Sequence, residues 1–234
     1  MLATYKEIKM KAVIFDMFET LITHYESPLY FGEHMAADLG LPEQKFREIW
    51  DAADDDRTLG KTTLEEVVRS IMDANGLHDD ELFAKVVEKR KAAKEDCFRH
   101  VNKDIVPMLE AIRSRGIKTG LITNCFSEEA PLIKDSELFK YFDVALLSFE
   151  QGLQKPDRRI FEKCVKELGV DPRECIYVGD GGSHELEAAS EIGMKPLQAL
   201  WYLKKGSRQK LAEKEGFEHI YNPMDVVKIA EEAK

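Results

Sequence analysis

Short apolar runs alternate with helical spacing along most of the chain, and one long helical interruption follows the first run. Lys11 to Asp16 (KAVIFD) is a β-branched and aromatic run ending in an acid, the pattern of a buried parallel strand. From about His24 to His100 the period changes. FGEHMAADLGL, EQKFREIWDAADD, TLEEVVRSIMDANGL and ELFAKVVEKRKAAKEDCF carry apolar residues three and four apart, broken at Gly40-Leu41-Pro42, Gly60 and Asn75-Gly76. Phe46 and Trp50, four apart, read as the interior of this helical insertion, and DAADDDR at 51–57 as a solvated helix end. Alternation then resumes with helix VPMLEAIRSRG, strand IKTGLITN, helix SEEAPLIKDS, strand FDVALLSF, helix DRRIFEKCVKELG, strand ECIYVGD, helix SHELEAASEIG, strand PLQALWYL and helix MDVVKIAEEA. Such alternation predicts an α/β fold, a parallel sheet with helices on both faces and right-handed crossovers, carrying an all-helical insertion.

Composition narrows the function classes. A chain of 234 residues that is 44% hydrophobic can bury a sizeable core, and its formal charge of −10 argues against a nucleic-acid partner, whose affinity needs displaced counterions. A small anion in a locally positive pocket is compatible with that charge. Cys97, Cys125, Cys164 and Cys175 show no CxxC spacing and read as reduced thiols of a cytoplasmic protein. The start MLATYKEIKMK lacks an apolar targeting core, and no stretch reaches the ~20 apolar residues of a membrane span, so neither export nor a membrane partner is expected. Monomer and homodimer both remain open.

Polar groups fall at or just beyond the ends of the apolar strands, which a parallel sheet lines up along one edge. They are Asp16, Thr123 with Asn124, Lys155 in GLQKPD, and Asp180 in YVGDGGSHE. Two carboxylates, an ammonium and a hydroxyl converging there suit Mg²⁺ and a phosphoryl group, because the metal takes hard oxygens and the lysine binds the remaining anionic ones. An aspartate in that setting can attack phosphorus and split a difficult hydrolysis into two easier steps. Gly181-Gly182 gives the turn after Asp180 backbone freedom and room for close approach to phosphate.

The succession FDMFETL, LITN, QKPD and YVGD, spread from residue 13 to about 194, resembles the four motifs of the haloacid dehalogenase superfamily of aspartate-nucleophile hydrolases. The resemblance implies a Rossmann-like core of residues 1–20 and 101–234 with an inserted helical cap at 21–100. It further implies Asp16 as nucleophile, Thr123 and Lys155 holding the transferring group, and the backbone amide of Asn124 in the phosphoryl cradle. Mg²⁺ would lie between Asp16, the backbone carbonyl of Phe18 and Asp180, with Glu185 in its outer shell or orienting Lys155. The expected substrate is a small phosphorylated metabolite, with Arg57 and Lys61 on the cap as candidate substrate-binding residues and His24 and Tyr25 within reach.

One departure stands out. Family phosphatases usually carry a second Asp two residues after the nucleophile, which protonates the leaving group, and this chain has Phe18 there. A positioned acid contributes about 10²- to 10⁴-fold, so its absence raises the barrier by roughly 3 to 5 kcal/mol for poor leaving groups. Glu19 is the adjacent acid, but a one-residue shift on extended backbone reverses side-chain direction. His184 reads as a surface residue at the start of a helix. The family's dehalogenases also place an aromatic at this position, so a metal-independent 2-haloacid dehalogenase and a catalytically silent phosphate-binding module both remain open. Asp180 argues against the dehalogenase, since a second carboxylate beside Asp16 repels a haloacid unless a metal lies between them.

Overall fold

The structure is a computed structural model and describes residues 9–203 and 212–232. Residues 1–8, on which the reading of the N-terminus partly rests, lie outside the described residues, as does Ala233 at the end of the expected last helix. The first strand, β1 (Ala12–Phe15), is wholly buried. The helical stretch follows as α1 (Gly32–Asp38), α2 (Glu43–Trp50), α3 (Asp54–Thr58), α4 (Leu64–Ala74) and α5 (Asp80–Asp96). Its breaks have local causes. Thr63 and Glu66 form a reciprocal capping box that starts α4, and Asp79 caps α5 by accepting from the Leu82 N–H.

The alternating part runs α6 (Ile105–Ser114), β2 (Lys118–Thr123), α7 (Ala130–Asp135), β3 (Val144–Leu147), α8 (Ser148–Gln151), α9 (Arg158–Leu168), β4 (Cys175–Gly179), α10 (Glu185–Glu191), β5 (Lys195–Ala199), β6 (Glu218–Ile220) and α11 (Pro223–Glu232). The six strands are all parallel, in the order β3-β2-β1-β4-β5-β6. This is a Rossmann-like order whose direction of winding reverses at β1, and ligands of such sheets gather beyond the carboxyl ends at that point. One face packs Phe15, Leu121 and Val178 against Leu109, Ile112 and Val226. The other packs Ile14, Ile122 and Tyr177 against Phe161, Cys164 and Leu186.

Three differences from the sequence pattern have physical reasons. The strand expected over FDVALLSF ends at Leu147, because Ser148 turns inward and exchanges hydrogen bonds with the backbone of Cys125 (2.9 and 3.2 Å). PLQALWYL leaves the sheet after Ala199, since Trp201 donates to the Thr20 carbonyl (2.7 Å) and the Tyr202 hydroxyl to that of Leu21 (3.0 Å), pinning this end of β5 to the turn after Asp16. The sixth strand, only three residues long and carrying the polar Glu218 and His219, gives no periodic signal.

The inserted helices have their own apolar cluster, built on Met35, Phe46, Trp50, Leu64, Val68, Ile71 and Val86. They meet the sheet domain through a seam of buried charges. Arg57 Nη2 and Arg90 Nε both donate to Glu128 Oε1, at 3.3 and 3.1 Å, and Lys94 pairs with Glu129. Arg57 is held between the rings of Trp50 and Phe126, 3.7 and 3.8 Å from their centroids. Gly60 brings the end of α3 so close to α8 that a Cβ there would lie 2.0 Å from the Phe149 carbonyl oxygen, and its φ of +73° is one a side chain resists. Among the described residues no helix is long and apolar enough to cross a membrane.

Removing one member of a buried ion group strands the others, which typically costs about 3 to 5 kcal/mol. Glu128→Ala is therefore expected to lower the unfolding free energy in a urea titration by about that amount. A loss below ~1 kcal/mol, the range of exposed pairs, would contradict a dry seam.

Candidate active site

Asp16 follows β1 directly, its N–H donating to the Val178 carbonyl at 2.9 Å, so the sheet register itself aims this residue at the carboxyl edge. Lys155 comes from the loop after α8 and lies buried with its Nζ 2.6 Å from Asp16 Oδ1 and 3.4 Å from the Tyr177 hydroxyl. The side chain of Asn124 holds that loop from both sides: Nδ2 donates to the Lys155 carbonyl (3.0 Å), and Oδ1 accepts from the Lys155 N–H (2.8 Å). Thr123, at the end of β2, is fully buried beside it.

After β4 the chain makes a tight loop organised by Glu185. Its two carboxylate oxygens accept from the N–H groups of Gly181 (2.8 Å) and Ser183 (2.7 Å), while Asp180 Oδ1 accepts from Gly182 N–H (2.9 Å). Gly179 has to lack a side chain here, since a Cβ would sit 2.8 Å from Glu185 Oε1. Carboxylate oxygens of Asp16, Asp180 and Glu185 thereby come within 4.8 Å of one another.

Crowding three acids together, Asp16 and Glu185 buried and Asp180 half-buried, moves their protonation. Burial pushes Asp16 up to about 6, against the pull of Lys155. Asp180 goes well above the usual carboxylate range through burial and the like charges of Glu185 and Asp16. Burial also acts to raise Glu185, but Lys155 and the backbone N–H donors more than reverse it and leave it below its ordinary value. For Lys155, burial acts to lower and Asp16 with Glu185 more than compensate, so its ammonium persists. One cation facing three acids leaves negative charge uncompensated. Oxygen donors at this separation fit a hard divalent cation such as Mg²⁺, which takes one or two carboxylates and keeps its other positions for water and phosphate.

The residues expected elsewhere separate from this cluster to different degrees. Phe18 turns its ring onto His24, with centroids 4.8 Å apart, and Lys94 lies over the same ring. Glu19 adopts a left-handed conformation (φ 58°), and its carboxylate accepts from Thr23 Oγ1 (2.6 Å), the His24 N–H (3.0 Å) and His24 Nδ1 (3.1 Å). Its side chain is thus engaged in the turn that follows. Burial, together with the charges of Glu19 and Asp180, raises the Tyr25 hydroxyl above its ordinary value. Arg57 sits in the seam, with Nε and Nη1 buried and without hydrogen-bond partners among the described residues, beside a cavity of about 250 Å³ lined by Trp50, Arg90 and Phe126. Lys61 is exposed and paired with Asp56 (2.9 Å), and His184 is exposed with φ 53°. The structure does not bring these two into the carboxylate group.

Two contributors were not anticipated. Tyr177 looks like any aromatic of a buried strand, whereas Gln198, a lone amide within PLQALWYL, is a polar residue in an apolar run and was a readable signal. Its Nε2 donates to the Asp180 carbonyl at 2.8 Å.

The sequence pattern described as haloacid dehalogenase-like hydrolase matches residues 10–193. A putative pyrophosphatase PpaX of Clostridium perfringens is 27% identical over 235 aligned positions, covering 95% of this chain and 98% of that protein. Relatives of higher identity are matched over shorter stretches. The glyceraldehyde 3-phosphate phosphatase of Methanopyrus kandleri is 32% identical across 39% of this chain and 40% of its own length, and two others at 35 and 37% are matched over 30 and 8% of theirs. Among solved structures, a 2-haloacid dehalogenase from Pseudomonas syringae superposes with a TM-score of 0.66 at 22% identity, covering 94% of this chain and 97% of that one, a likeness of fold.

The folded chain keeps Asp180 protonated at pH values where the unfolded chain has already released that proton, so ionising it weakens the metal-free fold as pH rises above ~4. Asp180→Asn removes that charge. In chelator at pH 8 the variant is expected to melt above the wild type, with the difference vanishing near pH 4. A lower melting temperature, or a difference independent of pH, would contradict the crowding.

Proposed function

The chain belongs to the haloacid dehalogenase-like hydrolases, and from that premise we propose that it is a Mg²⁺-dependent phosphatase of small phosphorylated metabolites, working through an aspartyl-phosphate on Asp16. The observation that carries the reading is the buried Asp16–Lys155 pair at 2.6 Å with Asp180 and Glu185 beside it. The names of the phosphatase relatives support a phosphorylated substrate. The carbon–halogen alternative draws on Phe18, and Asp180 weighs against it. Four buried, free cysteines support a cytoplasmic setting.

In this mechanism Asp16 attacks phosphorus, an Oδ–P bond forms as the bond to the leaving oxygen breaks, and water then releases phosphate from the acyl phosphate. Lys155 stays cationic and draws the anionic phosphoryl oxygens toward Asp16, so attack proceeds in a water-poor place where the charge counts for more. The Thr123 hydroxyl and the Asn124 N–H donate to the same oxygens, and the Asn124 side chain keeps Lys155 in register. Asp16, the Phe18 carbonyl and Asp180 would hold the Mg²⁺, with Glu185 outside them. When bound, the metal neutralises charge on phosphate and carboxylates alike.

The helices of 21–100 serve as the cap, and Arg57, whose Nε makes no hydrogen bond among the described residues and whose Nη1 lies 4.0 Å from Asp54, is the cap residue we assign to a second anionic group of the substrate. Phe18 offers no proton, and Glu19 is committed to its turn. The leaving group then departs as an anion protonated by solvent, which favours aryl and acyl phosphates.

Phosphate release from aryl, acyl and alkyl phosphates, with Mg²⁺ or EDTA, tests this against Asp16→Asn. Release is expected to need both the metal and Asp16, and to fall by about 10²- to 10⁴-fold from aryl to alkyl esters. Equal rates on both ester classes would return Glu19 or His184 to the role of acid. Halide release from a 2-haloacid in EDTA would replace the phosphatase with a dehalogenase, and phosphate-ester binding without release would make it a silent binder.

A further inference from the structure

Gln198 lies on β5 beside Gly179 of β4, with no side-chain exposure, between the apolar Leu197 and Ala199. A primary amide in such a place is costly unless its donors and acceptor are engaged. Here they are. Nε2 donates to the Asp180 carbonyl (2.8 Å) and the Ala212 carbonyl (2.9 Å), and Oε1 accepts from the Lys214 N–H (2.8 Å). One side chain therefore joins the end of β4 to residues 212–214. Lys214 reinforces the junction: its Nζ pairs with Glu187 at 2.8 Å, and its methylenes pack on Gly181, where a Cβ would come within 3.0 Å of Cδ.

The junction falls where the site resists assembly. Asp180 stands one residue past the last sheet pairing of β4, and in its ionised, metal-holding form it faces the like charges of Asp16 and Glu185, so where its carboxylate sits depends on what holds its backbone. The Gly182 N–H fixes the direction of its carboxylate, and Gln198 fixes its carbonyl. We propose that Gln198 is a positioning residue that holds Asp180 toward Asp16 and so sets the affinity of the carboxylate group for Mg²⁺. The inference rests on the reading of Asp180 as a metal-holding residue.

Outer partners of metal ligands typically govern affinity by 10- to 100-fold. Gln198→Glu keeps the acceptor for Lys214 but turns an oxygen toward two carbonyls, and Gln198→Met removes the donors without placing a charge in the core. Mg²⁺ binding to the intact protein is measured by titration calorimetry, with chelator melting temperature and aryl phosphate KM at saturating Mg²⁺ alongside. Both variants are expected to bind Mg²⁺ about 10- to 100-fold more weakly with KM unchanged. Wild-type Mg²⁺ affinity in Gln198→Met, with only a lower melting temperature, would overturn the inference and leave Gln198 a purely structural residue. If instead the wild type binds no Mg²⁺, or Asp180→Asn binds it as tightly as the wild type, the metal reading fails and the inference goes with it.

Discussion

One ammonium, that of Lys155, faces the buried carboxylates of Asp16 and Glu185 and the half-buried one of Asp180 at the carboxyl edge of the sheet, and much of the surrounding structure holds those groups in place. Asp16 is fixed by the register of the central strand. Lys155 is fixed by the Asn124 side chain, Glu185 by two backbone N–H groups, and Asp180 by Gly182 and Gln198. Aromatic pins from Trp201 and Tyr202 tie the turn after Asp16 to the next part of the sheet. Oxygen donors grouped in this way are suited to a divalent cation, which would offset the excess of negative charge that a single ammonium leaves.

The inserted helices are joined to the sheet by a second set of buried charges with a different balance. Glu128 and Glu129, from the loop that follows Asn124, meet Arg57, Arg90 and Lys94. Lys94 also reaches His24 Nε2 at 2.7 Å, and His24 connects to Glu19 and stacks on Phe18. The turn that presents the Phe18 carbonyl is thus linked through hydrogen bonds to α5. The Phe18 ring gives His24 a stacking partner, and the hydrogen bonds of the Glu19 carboxylate to Thr23 and His24 hold Glu19 in a left-handed conformation that is otherwise costly.

The fold and the order of the site residues were legible because buried parallel strands read as apolar runs that stop at polar residues. Asp16, Thr123 and Asp180 stand at such stops, so the topology brings them to one edge, whereas Lys155 arrives from the loop after α8 and is held there by the Asn124 side chain. What sequence left obscure depends on side-chain partners. Nothing in FDMFETL says whether Glu19 turns toward the nucleophile or toward His24, and the charges of Arg57 and Glu128 carry no mark of burial. Lys61 and Arg57 looked alike as cap cations; ring stacking and Glu128 drew one inside, and Asp56 holds the other at the surface. The short β6 failed to register because three residues, two of them polar, have no period to detect.

The central claim is that Asp16 becomes covalently phosphorylated. Quenching turnover of an aryl phosphate in Mg²⁺ and mapping the peptides by mass tests it most directly. The account predicts a phosphate adduct on Asp16 that is absent in Asp16→Asn. An ester of Asp16 formed from a 2-haloacid without metal, or phosphate found on any other residue during turnover, would contradict it.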